Sequence, residues 1–500
     1  MSAELPRYRF GPLERRGLVA GWRGGQLGAV ALSLVVAVGV LRAHSSVVGV
    51  VVSLAGVGLG LALACWPLGG RTAEQWAPVV TRWWALGVRG RRRYLSEVPR
   101  LGIVSRHGGD TRSAPAPPPV LTGCRILQPP VGVGGMRIGV VHDARARTYT
   151  AVLTVQSHAF VLLGADDKHR RVDAWARVLA GLAREGSAVH RVQWVERSLP
   201  DDGDAMARYL AEGLTVPRAS PAARSYLDLL NRAAPVTERH DVLLAVAIHA
   251  GRSRRAIQAA GGGDEGACAV LVRELQSLEA QLRAADITVE GTLAPSALVQ
   301  VLRQAVDRHP RAVVARQPDH GAVGRQAVAS WPWPLASDAT WSGYRTDGTC
   351  HATYWVSEWP RVDVGPDFLR PLLLQSGARR TVGVTMEPIS PSRATREVEQ
   401  ARTADAADTE LRRRTGFMVT ARRRREQETV AHRETELADG HAQYRFSGYV
   451  TVTADTWHEL DVAAGRVEQA AGQAHLELRR LYGEQDEAFT WTLPLARGLA

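Results

Sequence analysis

The feature that most constrains this chain is a long apolar stretch near its amino terminus. Between Arg23 and Arg71, Arg42 is the only charged residue, and it divides the stretch into parts of 18 and 28 residues. A helix that crosses roughly 30 Å of hydrocarbon needs about 20 residues. Because both parts are apolar on every side, they leave no polar face for water. The pattern predicts a two-helix transmembrane hairpin over 1–72; a buried core hairpin and a secretory signal peptide are the alternatives.

Charge sets the orientation predicted for this hairpin. Five arginines precede the first apolar segment and seven lie between residues 71 and 100, whereas the connecting loop has one. The positive-inside rule therefore predicts that both ends are cytoplasmic, in a multi-pass protein of the cell (inner or plasma) membrane. Gly56 and Gly60 have the four-residue spacing that allows close helix contact in membranes.

The location of the charge weakens a nucleic-acid interpretation of the whole chain. The 500 residues carry a formal net charge of +12. Residues 1–100 hold thirteen arginines and four acids, so they account for +9 of this charge. The excess of basic residues therefore belongs mainly to the region around the hairpin, where it would orient the protein in a membrane.

Aromatic and basic residues alternate directly after the apolar stretch. Tryptophans at near-helical spacing alternate with arginines, and a proline-rich linker follows and ends at Pro119. The pattern predicts that residues 73–119 form an amphipathic helix on an anionic leaflet and a semi-rigid linker; a linker helix packed on the soluble domain is the alternative. The predicted membrane-interface residues are Trp22, Trp66, Trp76, Trp83, Trp84, Arg91, Arg92 and Arg93.

Strand-like and helix-like segments alternate after residue 120. Runs rich in β-branched residues are separated by segments whose apolar residues recur at helical spacing. We predict a cytoplasmic α/β (α+β) domain with a mixed sheet, formed by subdomains over 120–330 and 331–500, and no internal repeat is apparent in the sequence. The expected elements include strands over 159–163 and 488–493, a helix over 457–481 and a charged helical pair over 391–440.

The sequence lacks the residues that common catalytic motifs require. Lys168, the only lysine, follows two aspartates and precedes a histidine, so it cannot be the lysine of a phosphate-binding loop. No H-E-x-x-H motif, G-x-S-x-G motif or C-x-x-C pair occurs. Cys350 and His351 are adjacent, but neighbours in a strand point to opposite faces. We expect a protein that is not an enzyme and binds no cofactor or metal; a membrane enzyme with an unrecognised site is the alternative.

Four consecutive arginines form the most basic point of the charged helical pair. They are Arg422, Arg423, Arg424 and Arg425. Neighbouring glutamates dilute their charge, and no stacking aromatics are interleaved. A solvated helix face is the favoured interpretation, with weak nucleic-acid contact as the alternative.

Six short motifs in the carboxy half carry a family resemblance. They are YWVSEWP at 354–360, LRPLL at 369–373, RRTVGVTMEP at 379–388, ELADGH at 436–441, AF at 488–489 and LPL at 493–495. These motifs resemble the amino-terminal, motor-less part of the conjugation ATPases of type IV secretion systems, and the resemblance covers about residues 150–500. In that family a Leu-Pro-Leu segment leads into the motor.

The amino-terminal hairpin adds to this resemblance. It is similar to the small PrgI-type inner-membrane subunit that accompanies such ATPases, so the whole chain resembles an actinobacterial membrane protein group of conjugation-like loci. The resemblance implies a domain that binds membrane partners and shapes oligomerisation. It implies no nucleotide site here, because the Walker lysine and the motor are missing.

The leading hypothesis is a membrane-anchored structural component of a type IV-like secretion or conjugation apparatus. Its cytoplasmic domain would dock a separately encoded motor ATPase. The other expected partners are the lipid bilayer, further secretion-channel subunits and other copies of the chain. A type VII (ESX) secretion membrane component, which also pairs two spans with a cytoplasmic domain, is the alternative, and the neighbouring genes would distinguish the two.

Overall fold

The computed structural model divides the chain into two compact units. The first, called the helical unit, comprises Pro12–Arg93 and Tyr482–Glu484. The second, called the sheet domain, comprises Met1–Gly11, Tyr94–Leu481 and Gln485–Ala500. The residues that the structure describes are 10, 24–43, 46–65, 71–96, 117–129, 137–156, 160–200, 216–217, 220–233, 238–307, 332–415 and 421–499.

The described part of the helical unit contains two apolar helices and one amphipathic helix. These are α1 (Gly24–Ala43), α2 (Val47–Cys65) and α3 (Ala73–Val88). Among the described residues, one helix is long and apolar enough to cross a membrane, over Gly25–Ala43, and Val47–Ala62 is a shorter apolar helix. The sequence predicted that both apolar segments are long enough to span a membrane, whereas α2 is the shorter of the two apolar helices.

The helices α1 and α2 contact each other through small residues. Ser53 Oγ donates a hydrogen bond to the Ala37 carbonyl at 3.1 Å, and both residues are buried between the helices. Gly56 has no heavy atom within 4 Å of the position of an added Cβ. The hydrogen-bonded contact therefore lies at Ala37 and Ser53, whereas Gly56, one of the two glycines that the sequence indicated, has open space around it.

The sheet domain is built on a thirteen-stranded sheet. The strands are β1 (Arg93–Leu95), β2 (Cys124–Leu127), β3 (Val140–Asp143), β4 (Thr148–Gln156), β5 (Val189–Pro200), β6 (Glu238–His249), β7 (Thr288–Thr292), β8 (Ala336–Ala339), β9 (Tyr344–Thr346), β10 (Thr349–Glu358), β11 (Arg379–Pro388), β12 (Tyr444–Ala454) and β13 (Glu477–Arg480). The helices are α4 (Ala165–Leu182), α5 (Pro221–Ala233), α6 (Arg254–Ala259), α7 (Gly263–Ala284), α8 (Pro295–Val306), α9 (Arg370–Leu373), α10 (Pro391–Thr415), α11 (Ala421–Ala438), α12 (Trp457–Gln473) and α13 (Gln485–Thr490).

The sheet is antiparallel, so the prediction of a mixed sheet was wrong. Every neighbouring pair in the order β8-β9-β10-β12-β11-β5-β6-β4-β3-β2 is antiparallel, as are the side pairs β13 with β10 and β7 with β4. The succession β4-α4-β5 is typical of parallel neighbours. Here β6 lies between β4 and β5 and pairs with both.

The two halves of this sheet repeat one topology. Each half, β2–β7 and β8–β13, begins with a meander of three strands, followed by a helix and two inner strands. A later short strand then pairs with the last strand of the meander, and this pairing contains a register shift. The inner strands β5 and β11 pair with each other at the centre, from Arg197 opposite Thr381 to Val192 opposite Met386. The repeat is invisible in the sequence because strands require alternating apolar residues and no fixed motif.

Each half has its own apolar core. In the first half, α7 packs four leucines that are at most 1% exposed against β4 and β6: Leu271, Leu275, Leu278 and Leu282. In the second half, α12 packs mainly alanines and the fully buried Val467 against β10 and β12. Trp194 on β5 packs against both cores. The central pair of strands is therefore where the two cores meet.

Three predicted elements differ from the structure. The expected strand at 159–163 is a single 3-10 turn at Phe160–Leu162. The expected helix over 457–481 ends at Gln473, and β13 follows, because His475 has a φ of 56° and turns the chain. The apolar run 488–493 falls on α13 and the residues after it, and not on a strand.

Long-range contacts explain why the last of these segments is helical. Gln485, at the start of α13, accepts from the Thr353 N–H at 2.8 Å and donates to the Thr353 carbonyl at 3.0 Å. The same amide donates to the Leu481 carbonyl at 2.9 Å. The Gln485 side chain thus satisfies backbone groups of β10 that a further strand would otherwise pair with.

Candidate functional site

The residues predicted for the membrane interface lie mainly on α3 and directly after it. The structure places Trp76, Trp83 and Trp84 on α3 and Arg91, Arg92 and Arg93 after its end, whereas Trp22 and Trp66 lie outside the described residues. At the amino end of α3, the Thr72 N–H donates to Gln75 Oε1 at 3.2 Å. This contact satisfies one of the backbone donors that a helix start leaves free.

Arg92 folds back onto α3. Its guanidinium carbon lies 3.9 Å from the centre of the Trp83 ring, a cation–π contact. Its Nε and Nη2 donate to the Trp83 carbonyl at 3.2 and 2.7 Å. An added Cβ at Gly87 would lie 2.6 Å from this guanidinium, so the glycine makes room for it. Arg92 therefore stabilises the end of α3, while Arg91 and Arg93 are exposed.

One side of α3 carries an exposed apolar stripe. Val80, Trp84 and Val88 are 47%, 69% and 69% exposed, and they follow one another at four-residue spacing. Val79 lies on the opposite side and is 4% exposed. The helix thus buries Val79 and presents an apolar stripe outward, as an interfacial helix does.

Buried charges lie at the central pair of strands, here called the seam (β5 and β11). Glu387 on β11 accepts a hydrogen bond from Arg252 Nη1 at 2.9 Å. Arg191 Nε lies 3.7 Å from the same carboxylate, and His190 Nδ1 lies 3.9 Å from it. Glu387 is 7% exposed and His190 is 8% exposed, so these two side chains are largely removed from water, whereas the Arg252 side chain is about half exposed.

Burial and charge act in opposite ways on the titration of this group. Burial raises the pKa of Glu387, but the hydrogen bond from Arg252 and the neighbouring positive charges outweigh burial and lower it. Burial, together with the charges of Arg191 and Arg252, lowers the pKa of His190 to about 4. At neutral pH the seam therefore holds an ionised Glu387 and a neutral His190.

Residues 491–499 contact both strands of the seam and are called the strap. Gln193 on β5 donates from Nε2 to the Trp491 carbonyl at 2.7 Å and accepts from the Ala496 N–H at 2.8 Å. Thr385 on β11 donates to the Arg497 carbonyl at 2.7 Å. The strap therefore contacts both inner strands.

Further contacts tie the strap to β3, β5 and β12. Arg497 Nη2 pairs with Asp143 of β3 at 2.5 Å. The Arg191 guanidinium donates to the Leu499 carbonyl at 2.6 Å, and the Tyr449 hydroxyl of β12 donates to the Gly498 carbonyl. The LPL motif at 493–495 lies within the strap, so the segment that the family resemblance places before a motor is here part of the sheet domain.

Cys350 and His351 have separate partners. The His351 ring is fully buried, with Nε2 2.7 Å from Thr346 Oγ1 and Nδ1 2.9 Å from Thr453 Oγ1. Burial lowers the pKa of His351 to about 3. The Cys350 thiol instead lies 4.0 Å from the Asp455 carbonyl, and burial raises its pKa. The two side chains do not form a nucleophile and base pair.

A cleft of about 410 Å³ opens beside the first half, between β4, β6, β7 and α8. Its polar side chains contact one another: Arg197 pairs with Asp241 at 2.8 Å, and Gln156 donates to Glu290. Within the described part of the chain, no group of three or more His, Cys, Asp or Glu side chains is placed to hold a metal ion. The cleft therefore has no arrangement that identifies a reaction.

The helical pair α10–α11 separates its charge along its length. Arg422–Arg425 fall in the first turns of α11, and their side chains lie outside the described set. The sequence from 411 to 425 has seven arginines and no acid, whereas the rest of 391–440 has four arginines against ten acids. The acids dilute the run Arg422–Arg425 only on the side away from the connection between α10 and α11. Sequence reasoning missed this segregation for that reason.

One family model matches part of the chain. A family model described as "type VII ESX secretion system translocon, EccE" matches residues 236–356. The matched segment runs from β6 to β10 and so includes strands of both halves. No curated protein matches the chain. The match supports a membrane protein of a secretion system with other system subunits as partners, and it favours the type VII prediction over the type IV one.

Proposed function

We propose that this protein is a membrane-anchored structural component of a type VII (ESX) secretion translocon. The observation that carries the proposal is the EccE match over 236–356. The matched residues include the inner strand β6, the helix α7 and the strand β10, which are central to the sheet domain. The resemblance to type IV conjugation ATPases receives no comparable support.

We propose that α1 and α2 anchor the protein as two passes, with both ends cytoplasmic. Leu32 and Val35 on α1 and Val48 and Leu54 on α2 are 65–71% exposed. Exposed apolar surface costs roughly 25 cal/mol per Å² in water, and a bilayer removes this cost. The 19 residues of α2 span about 28 Å at 1.5 Å per residue, close to the thickness of the hydrocarbon layer. The stripe on α3 would lie at the interface.

We propose that the sheet domain docks a separately encoded motor ATPase and other subunits, and has no catalytic role of its own. The polar groups of the seam contact each other, and so do those of the cleft, as in a rigid binding surface. The strap adds contacts across both halves. Such a domain offers fixed surfaces to partners, and oligomerisation of the chain would repeat those surfaces around the translocon.

Purification of the tagged full chain tests this function. After mild cross-linking and detergent extraction, we expect recovery of type VII subunits, including the motor ATPase. Recovery of the chain with type IV subunits alone, or with no secretion subunit while neighbouring complexes remain intact, would contradict the proposal.

A charge placed on α1 tests the anchor. Val35→Arg puts a cation on the exposed face of α1, at a cost of roughly 2.5–3.5 kcal/mol at the centre of a bilayer. We expect weaker retention of the variant in washed membranes. Leu229→Arg on α5, where Leu229 is 62% exposed, is the matched control and should fractionate as wild type does.

A further inference from the structure

An aromatic pocket on the sheet domain holds a residue from the segment that precedes the helical unit. The ring centre of Phe10 lies 5.3 Å from that of Trp359, 5.5 Å from that of Phe368 and 6.4 Å from that of Phe446. The Phe10 N–H donates to the Pro360 carbonyl at 3.2 Å. Phe10 is therefore held by three aromatic side chains and by one backbone hydrogen bond.

The pocket is built by the fold of the second half. Trp359 follows β10 and meets Phe446 of β12 edge to face, with ring centres 5.3 Å apart and an interplanar angle of 72°. An added Cβ at Gly448 would lie 2.7 Å from Trp359 Cζ2, so the indole sits against the backbone of β12 only because this residue is glycine. The Phe368 N–H donates to the Gly365 carbonyl at 3.3 Å, which fixes the third wall.

We propose that this pocket is a clasp for the amino-terminal segment, with Phe10 as its occupant. The chain leaves the sheet domain after Gly11 and returns to it at Tyr94. Phe10 lies in the stretch of the sheet domain that precedes the helical unit, so its contacts hold this stretch to the rest of the sheet domain. Edge-to-face and offset aromatic pairs contribute beyond the burial of their area, which suits a specific and reversible attachment.

The clasp has a consequence for membrane topology that rests on the proposed anchoring. The segment 11–23 between Phe10 and α1 contains Glu14, Arg15, Arg16 and Arg23, so it is unsuited to crossing hydrocarbon. With Phe10 seated, residue 10 and the rest of the sheet domain lie on the same side of the bilayer. The helices α1 and α2 must then cross an even number of times, which makes α2 the return pass of α1.

Hydrogen exchange of the full chain in its native membranes tests the clasp directly. In wild type, the Phe10 amide should be protected from exchange by its bond to Pro360. Phe10→Ala should speed exchange of the peptide around residue 10 by about tenfold or more, since a loss of 1.4 kcal/mol is a factor of ten. Phe446→Ala should have the same effect from the pocket side.

Two controls distinguish the clasp from general loosening. Tyr226→Ala removes an aromatic ring of α5 that is 42% exposed and should leave exchange around residue 10 unchanged, whereas Phe10→Leu should give an intermediate rate. Exchange of β10 should be the same in all variants, and exchange of β12 should be the same in every variant except Phe446→Ala. Wild-type exchange at the rate of an unstructured peptide, or equal rates in wild type and Phe10→Ala, would overturn the clasp, whatever subunits co-purify with the chain.

Cysteine labelling tests the topological consequence. In a Cys65→Ala background, Ser2→Cys and Asp228→Cys should react with a membrane-impermeant maleimide from the same side of sealed vesicles. Cys124, Cys268 and Cys350 are buried and give little background. Labelling of the two positions from opposite sides would overturn the clasp, because Phe10 could not then reach its pocket.

Discussion

The two halves of the sheet share one succession of elements, yet they are packed differently. The first half lies against the long helix α7, whose leucines fill a deep core. The second half lies against α12, where small residues such as Ala463, Ala464 and Ala471 bring the helix close to the sheet. The comparison shows that the strand connections set the topology, while the side chains of one helix set the depth of each core.

The halves also differ in what is inserted between their inner strands. The first half has α5 between β5 and β6, and the second has the charged pair α10–α11 between β11 and β12. Because β5 and β11 are antiparallel neighbours, these insertions leave the seam at opposite ends. The shared sheet thus presents two different surfaces, one amphipathic and one highly charged.

The largest expected effect separates the two cores. Leu275→Ala in α7 removes a side chain that is 1% exposed, and it should lower the free energy of unfolding by roughly 2–5 kcal/mol. Val467→Ala in α12 should cost less, about 1–3 kcal/mol, because fewer atoms are lost. Urea unfolding of the two variants measures the difference. Equal losses would contradict the assignment of a deep core to the first half alone.

The seam should respond to loss of its carboxylate. Glu387→Gln leaves Arg252 and Arg191 without their charged partner. We expect the free energy of unfolding to fall by about 1–3 kcal/mol. The exposure of Arg252 reduces this loss, because water screens its charge. Glu290→Gln removes an exposed carboxylate and serves as the control in the same unfolding experiment. If both variants were as stable as wild type, the seam charges would contribute nothing to joining the halves.

Acid should weaken the fold through its buried histidines. The pKa of His190 is lowered from 6.5 to about 4 and that of His351 to about 3, so the unfolded chain binds protons first as the pH falls below about 6.5. Stability should be full above pH 6.5 and decline toward pH 4. His190→Gln should flatten this decline, by at most about 1.4 kcal/mol per pH unit, whereas His458→Gln, at an exposed position, should not. An unchanged slope in His190→Gln would contradict a neutral His190.

The smallest effect is expected in the helical pair. Arg402 and Glu434 form an exposed ion pair at 2.6 Å between α10 and α11. Arg402→Ala should change the stability of the sheet by less than about 1 kcal/mol. Thermal unfolding followed by near-ultraviolet circular dichroism checks this. A large loss would mean that the insertion supports the sheet and is not an addition to one half.

Local pattern predicted much of the secondary structure but not its arrangement. The strand at 148–156 and the break of the charged pair at Thr415 follow from residue type and spacing alone. The antiparallel order and the repeated halves depend on pairings between residues far apart in the chain. The expected strand at 488–493 failed because Gln485 contacts Thr353, a contact that no local pattern indicates.

The candidate surfaces were also predicted only in part, because only some of their features are local in the sequence. The tryptophans of α3 were found from helical spacing, because an amphipathic stripe is a local property. The stacking of Arg92 on Trp83 was not foreseen, nor were the strap contacts. Phe10 gave no signal in the sequence either, since its partners lie about 350 residues further along the chain. The segregated arginines at 411–425 could have been found in the sequence by counting charges over short segments.

An export assay in cells tests the central claim most directly. Deletion of the gene should abolish release of type VII substrates into the medium while export by the general secretory route continues. The full chain should restore release, and a version without residues 1–72 should not, although it accumulates to the same level. Undiminished export of type VII substrates without the protein would contradict its role as a component of that translocon.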